Sequence, residues 1–209
     1  MMKKFIVALM ALMVLLVPTY ADAASKLEKA RNKEYKAKIK EYKKGGWEVL
    51  GSHTMEVALL EHYDRLAKLG DDAHEVEGIS NATKSKNTGK QAAINNAVIQ
   101  YAQEAGSTLK GRVVSDLNAN GVNTDGEFDN FYAAYERLVE KEIRNEMTPS
   151  YSIVRKDASG NFEVRTYFIV CESAAAKARQ RALSEALENS AAAQKYGEKI
   201  SGFVQEGFE

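Results

Sequence analysis

Cysteine and histidine are scarce in this chain: Cys171 stands alone, and His53, His62 and His74 are the only histidines among 209 residues. A single cysteine excludes an internal disulfide, so stability has to come from packing whatever the redox state of the compartment. Cys171 itself falls in an apolar, strand-like segment, which predicts a buried and inert thiol. Three histidines without an H-E-x-x-H or comparable spacing give no zinc site. His62 falls on the apolar face of a predicted helix and reads as an interior histidine with its hydrogen bonds satisfied. His53 and His74 flank predicted strands and are the pair that could meet in space near carboxylates. Also missing are a G-x-S-x-G nucleophile elbow and a glycine-rich nucleotide turn between strand and helix. Gly51-Ser52-His53 does set a serine beside a histidine, but neighbours in a strand point to opposite faces. No catalytic, cofactor-binding or metal-ligating residue is assigned, and the expectation is a non-enzymatic protein without a cofactor.

Long apolar runs are equally rare. The one present, Phe5 to Val17, follows Lys3 and Lys4 and precedes Pro18 and Ala21-Asp22-Ala23. A basic start, an apolar middle and a small-x-small end predict a secretory signal peptide over residues 1–23, cleaved near Ala23/Ala24. The run is shorter than the roughly 20 residues a spanning helix needs. No cysteine stands at the cleavage point to carry a lipid. The expected product is a bacterial protein of the periplasm or beyond, with no transmembrane segment after cleavage. The 186 residues that remain are enough for one domain, which would bury roughly 70% of its unfolded surface.

Net charge is zero over the chain, but the halves differ. Residues 26–44 hold nine basic against three acidic residues, a net +6, whereas residues 45–209 hold 18 against 25, a net −7. Residues 24–45 are therefore expected to form a basic helical arm or spacer ahead of a single domain over 46–209. Such an arm can touch an anionic surface such as lipid headgroups or wall polymer, or serve as a solvated spacer. An acidic body on an exported chain argues against nucleic acid.

Periodicity supplies the class. Trp47–Leu50 alternates as a short strand, and residues 54–69 set Met55, Leu59, His62, Leu66 and Leu69 on one helical face closed by Gly70. A second strand is expected over His74–Thr83, then a polar loop to Gly89. A long helix follows, striped by Ala93/Ile94, Ala97/Val98, Tyr101/Ala102, Ala105, Leu109 and Val113. Its small residues predict close packing against a sheet or another helix. A further helix over 127–147 leads to strands Ser150–Lys156 and Phe162–Glu172, joined by a hairpin turn with Gly160 at positive φ. A last helix from about Ala174 carries Ala182, Ala186, Ser190, Ala193 and Tyr196/Gly197 on one stripe. The order β-α-β-α-α-β-β-α defines an α+β fold: a small antiparallel-containing sheet of about four strands packed by long helices.

One motif carries ion chemistry. Asp116-x-Asn118-x-Asn120-Gly121-(five residues)-Glu127 fits the calcium-loop template, with oxygens at positions 1, 3 and 5, the Val122 carbonyl and Glu127 around the ion. The competing reading is a polar connector between two helices, in which Asn, Asp and Gly serve the turn.

The stretches Val76-Glu77-Gly78-Ile79-Ser80-Asn81-Ala82 and Gln91-Ala92-Ala93-Ile94-Asn95-Asn96-Ala97-Val98, with the later Ser152-Ile153-Val154 and Phe162-Glu163-Val164-Arg165-Thr166-Tyr167-Phe168, resemble a known group. That group is the twenty-kilodalton envelope lipoprotein family together with the N-terminal module of the flagellar assembly T protein, and the likeness spans about residues 74–172. The resemblance implies an α+β envelope domain used for structural or interaction roles, with no functional residue to carry over. The leading expectation is thus an exported envelope protein whose partner is an envelope protein or cell-wall component. A periplasmic hydrolase with residues converging in space, and a calcium-stabilised surface adhesin, are the alternatives.

Overall fold

The computed structural model describes residues 28–121 and 126–208, and the expected signal peptide lies outside them. Contacts divide the chain between Gly45 and Gly46 into two units. The described part of the first is one helix, α1, over residues 28–44. Tyr35, Lys38, Ile39 and Tyr42, at helical spacing, are its less exposed side, and the Lys38 ammonium stands 5.2 Å over the Tyr42 ring.

The second unit runs β1 (Glu48–Val49), α2 (Met55–Leu69), a 3-10 turn (Gly70–Asp72), β2 (Ala73–Thr83), α3 (Lys86–Ala119), α4 (Glu127–Ile143), β3 (Thr148–Lys156), β4 (Phe162–Cys171), α5 (Glu172–Glu188), α6 (Ala191–Gln194) and α7 (Gly197–Gln205). The α+β class and the expected element order hold. Four strands form one sheet in the order β1-β3-β4-β2, and every pairing is antiparallel.

Strand alternation sorts the side chains between two faces. Val76, Gly78 and Ser80 of β2 align with Phe168, Thr166 and Val164 of β4, and Thr166 aligns with Ser152 of β3. α3 packs on this face, and its small stripe explains how closely. A Cβ built on Gly78 would lie 2.0 Å from the Ala93 carbonyl oxygen and 2.8 Å from the Ala97 Cβ. Glycine is therefore the residue that fits. Beyond α3, α4 contributes Phe128, Phe131, Tyr135, Val139 and Ile143, and α5 contributes Ala175, Ala178, Ala182 and Ala186, to one buried cluster. Each large apolar side chain so buried stabilises the fold by roughly 1.5–3 kcal/mol.

Several boundaries differ from expectation, each for a local reason. β1 keeps only Glu48 and Val49; residues 50–53 bend, so Ser52 and His53 are not in a strand. The polar residues after Thr83 already begin α3 at Lys86, and that helix runs on to bury Leu117. α4 ends at Ile143, four residues before the expected end. β3 starts earlier, at Thr148, and α5 starts at Glu172. The closing helix is broken after Glu188. Asn189 turns its side-chain amide onto the Glu185 carbonyl at 2.9 Å, and the Ser190 hydroxyl accepts from Ala193 N–H at 3.2 Å, capping a new helix. Short polar side chains that bond the backbone stop one helix and start another. The hairpin turn is as expected: Gly160 has φ 78°, and Asp157 Oδ1 accepts from Ser159 and Asn161 N–H, both at 2.8 Å.

Candidate functional site

α2 sits on the sheet face opposite α3. Its start is set by Thr54, whose hydroxyl accepts from Val57 N–H at 3.3 Å, and its end by Gly70 at φ 58°. Met55, Ala58, Leu59 and His62 are its buried side. His62 is 1% exposed, so both ring nitrogens need partners, and both have them. Nε2 lies 2.5 Å from Glu75 Oε2 and Nδ1 lies 3.0 Å from Ser150 Oγ. The expectation of a satisfied interior histidine holds, and the structure adds the identity of the partners.

The protonation pattern follows from the inventory of donors. The side chain of Glu75 is 44% exposed and therefore solvated as a carboxylate, which can only accept. In the neutral ring the proton is then on Nε2, which leaves the Nδ1 lone pair facing the Ser150 hydroxyl. Tyr151 and Tyr63 meet the ring edge-on with centroids at 5.1 and 5.7 Å, which fixes its plane.

Ser150 reaches this position through a β-bulge. Pro149 aligns with Phe168 and Tyr151 with Tyr167, so Ser150 is the extra residue of β3. A bulge re-aims side chains, and here Ser150 and Tyr151 both come to the His62 side of the sheet. Ser150 also lines a cleft of about 290 Å³ whose walls include Val49, Leu50, His53, Ala58, Glu61 and Arg65. The spacing of Ala58, Glu61, His62 and Arg65 puts them on neighbouring sides of α2. His53 Nδ1 lies 3.5 Å from Glu61 Oε1 in the same cleft.

His74 is elsewhere. It lines a cleft of about 680 Å³ with Asp71, Asp72, Glu172, Glu206 and Phe208, and its ring centroid is 5.9 Å from that of Phe208. The two histidines that sequence suggested might meet therefore line different clefts. Three of the second cleft's carboxylates are already engaged. Asp72 accepts from Cys171 Sγ at 2.8 Å, and from Ser173 N–H at 2.8 Å and Ser173 Oγ at 3.1 Å, which holds its pKa below the usual carboxylate value. Cys171 is thus half-exposed and hydrogen-bonded at the end of β4, rather than buried as expected. Glu206 pairs with Arg112 at 3.4 Å.

Glu172 pairs with Arg179, the other buried ionisable group that the sequence did not mark. Arg179 is 2% exposed; its Nη1 donates to Tyr101 Oη and its Nη2 to Glu172 Oε1, both at 2.5 Å. Phe208 lies 5.0 Å from the guanidinium carbon. Burial pushes the Tyr101 hydroxyl up to about 12, against the pull of the Arg179 charge, and burial likewise pushes Tyr132 up to about 12. Burial works against the Arg179 charge, but the hydrogen bonds it donates to Glu172 and Tyr101 and the attraction of those two groups together outweigh it, holding the guanidinium pKa above its ordinary value.

The calcium-type motif is partly outside the described residues, which omit 122–125. Asp116 and Asn118 fall in the last turns of α3 rather than in a loop. The Asp116 carboxylate is ion-paired with Lys199, and Asn120 Nδ2 donates to the Asp116 carbonyl at 2.7 Å. An ammonium group therefore occupies the carboxylate that would be the first ligand.

Comparison of the chain with family models, with curated protein sequences and with solved structures finds no match. Function has to be argued from the groups above. Of these, Ser150 and Glu75 were not legible, because one depends on a bulge and the other lies 13 residues from its partner histidine. The alternation of Glu75 and Glu77 with Val76 and Gly78 was the available signal, since it puts the two carboxylates on one face.

Proposed function

We propose that the protein is an exported component of the bacterial envelope with a structural or interaction role, held at an anionic surface by its basic arm. The observation that carries this reading is the form of α1. Lys29, Arg31, Lys33, Lys36, Lys40 and Lys44 are all exposed on one continuous helix, with only Glu28, Glu34 and Glu41 to offset them. Cations spread around a helix give a field suited to lipid headgroups or an anionic wall polymer. The apolar run ahead of it supports export, and the resemblance over residues 74–172 supports an envelope setting. Among the described residues no helix is long and apolar enough to cross a membrane, so attachment in this reading is peripheral.

Peripheral electrostatic attachment has a clear signature. In envelope fractions the protein should be released by 1 M sodium chloride, where the Debye length falls to about 3 Å. Replacing Lys29, Arg31, Lys33, Lys36, Lys40 and Lys44 with glutamine should shift it to the soluble fraction at low salt. Release that requires detergent, or a glutamine variant that fractionates like the parent, would overturn the proposal.

A further inference from the structure

Beyond that surface role, we propose that Ser150, His62 and Glu75 form a nucleophile relay with which the chain cleaves short carboxylic esters in the cleft beside α2. Three requirements for an activated serine are met by named atoms. The nucleophile touches a base, with Ser150 Oγ 3.0 Å from His62 Nδ1. The base is oriented by a carboxylate, with His62 Nε2 2.5 Å from Glu75 Oε2. The serine borders open space, because Ser150 lines the cleft while the imidazole it touches is shielded from water.

The ring nitrogens take the opposite places from those in the familiar triads, Nδ1 facing the hydroxyl and Nε2 the carboxylate. Either nitrogen of imidazole serves as a base once the other is protonated, so geometry and role decide the assignment. A histidine bonded on both sides also braces α2 against β2 and β3. Two features favour chemistry over a strut. The serine is the extra residue of a bulge, a backbone departure that a mere strut does not need. The carboxylate faces Nε2 from 2.5 Å, and a ring that donates there turns its Nδ1 lone pair toward Ser150.

The cleft sets the substrate class. At about 290 Å³ it lies at the small end for ligand sites. Val49, Leu50 and Ala58 give it apolar wall, suited to a short acyl group, and Arg65 brings a cation to the same lining for charge developing on the carbonyl oxygen. In the first half-reaction Ser150 Oγ bonds to the carbonyl carbon as its proton passes to His62 Nδ1. The tetrahedral species then expels the alcohol oxygen, which takes that proton from Nδ1. In the second half-reaction water attacks the Ser150 ester in the same way, giving the free acid and restoring the hydroxyl. Ester and water are consumed, acid and alcohol are formed, and no oxidant or metal enters. Ser150 and His62 are the catalytic residues, and Glu75 is a positioning residue.

The test uses the purified wild-type protein, a fluorophosphonate probe and p-nitrophenyl acetate. Covalent labelling mapped by mass spectrometry to Ser150, with S150A losing at least about 100-fold of the ester turnover, is the expected result. E75Q tests positioning separately. A glutamine amide can donate to Nε2 and move the ring proton to Nδ1, so turnover should fall by roughly 100-fold or more and the pH profile should flatten. A structural role alone would lower the melting temperature of E75Q without changing the pH profile of what activity remains. If S150A does not fold, the mapped adduct on the wild-type chain decides by itself. No adduct under conditions that label a control serine hydrolase, an adduct on another residue, or an S150A rate equal to wild type would each overturn the proposal. Retention at the envelope is read in a different assay, so the two proposals fail independently.

Discussion

The two faces of the sheet are built from the same strands but run on different chemistry. Toward α3 the residues are Val76, Gly78 and Ser80 against Val164, Thr166, Phe168 and Val170, and the polar contact described there is small: Ser152 of β3 and Thr166 share a hydroxyl hydrogen bond at 3.0 Å. Toward α2 the residues include Glu75, Glu77, Tyr151, Arg155, Arg165 and Tyr167, set among the apolar Ile79, Ile153 and Ile169. There Arg165 bridges Glu77 and Glu163 at 3.3 and 3.0 Å, and Trp47 lies between Arg155 and Arg165 at 4.6 and 4.9 Å. The first face gains its stability from close fit, so it tolerates no added atom. The second gains less from each of many directed contacts and keeps polar groups near the surface. A carboxylate, an imidazole and a hydroxyl can be held in line only on the second.

The sharpest way to break that contrast is Gly78→Ala. With 2.0 Å between the new Cβ and the Ala93 carbonyl, α3 must retreat from the sheet, and the loss should be about 3 kcal/mol or more, at the upper end for overpacking. Chemical denaturation measures it, and a loss under 1 kcal/mol would mean the faces do not differ as described.

A pH titration tests the same face. Tyr101 and Tyr132 carry pKa values raised to about 12 by burial. A raised value means that the unfolded chain loses these protons first, near 10, while the native state still holds them. Their contribution is thus complete below pH 10 and declines as pH rises from 10 toward 12. Tyrosinate absorbance should lag for these residues and then appear together with unfolding. Full ionisation near pH 10 in a folded protein would contradict the burial.

On the opposite face effects should be smaller. Tyr167→Phe removes the hydroxyl that donates to Glu77 Oε1 at 2.7 Å. Because Glu77 keeps access to water, with its side chain 33% exposed, the cost should be about 1 kcal/mol. A loss matching that of Gly78→Ala would place a rigid core on both faces.

This contrast also explains what could be read in the sequence. Periodicity records which residues are apolar and how often, so the stripe from Ala93 to Val113, the strand over His74–Thr83 and the α+β order were visible. The alanines of that stripe even announced a close approach of α3 to a sheet or another helix. Side-chain bonds across 88 residues, such as that between His62 and Ser150, leave no period. Neither does the Ser150 bulge, since one inserted residue changes which face a serine meets while leaving composition unchanged. Arg179 was hidden for a related reason: nothing on an alanine-rich helix marks one cation as buried, and only the convergence of Tyr101 and Glu172 makes its burial tolerable. The break at Asn189-Ser190 turned on two short side chains inside a continuous apolar stripe.

β2 ends the described strand order with an 11-residue edge. Its pairing with β4 slips between Ser80 and Thr83, and Ala82 takes a left-handed φ of 57° in that slip. An edge so interrupted offers a foreign strand only its first half, where Glu75 and Glu77 would confront the same two carboxylates of another copy. The irregularity therefore protects the chain against growing into a continuous intermolecular sheet, which would suit the crowded surface setting proposed above.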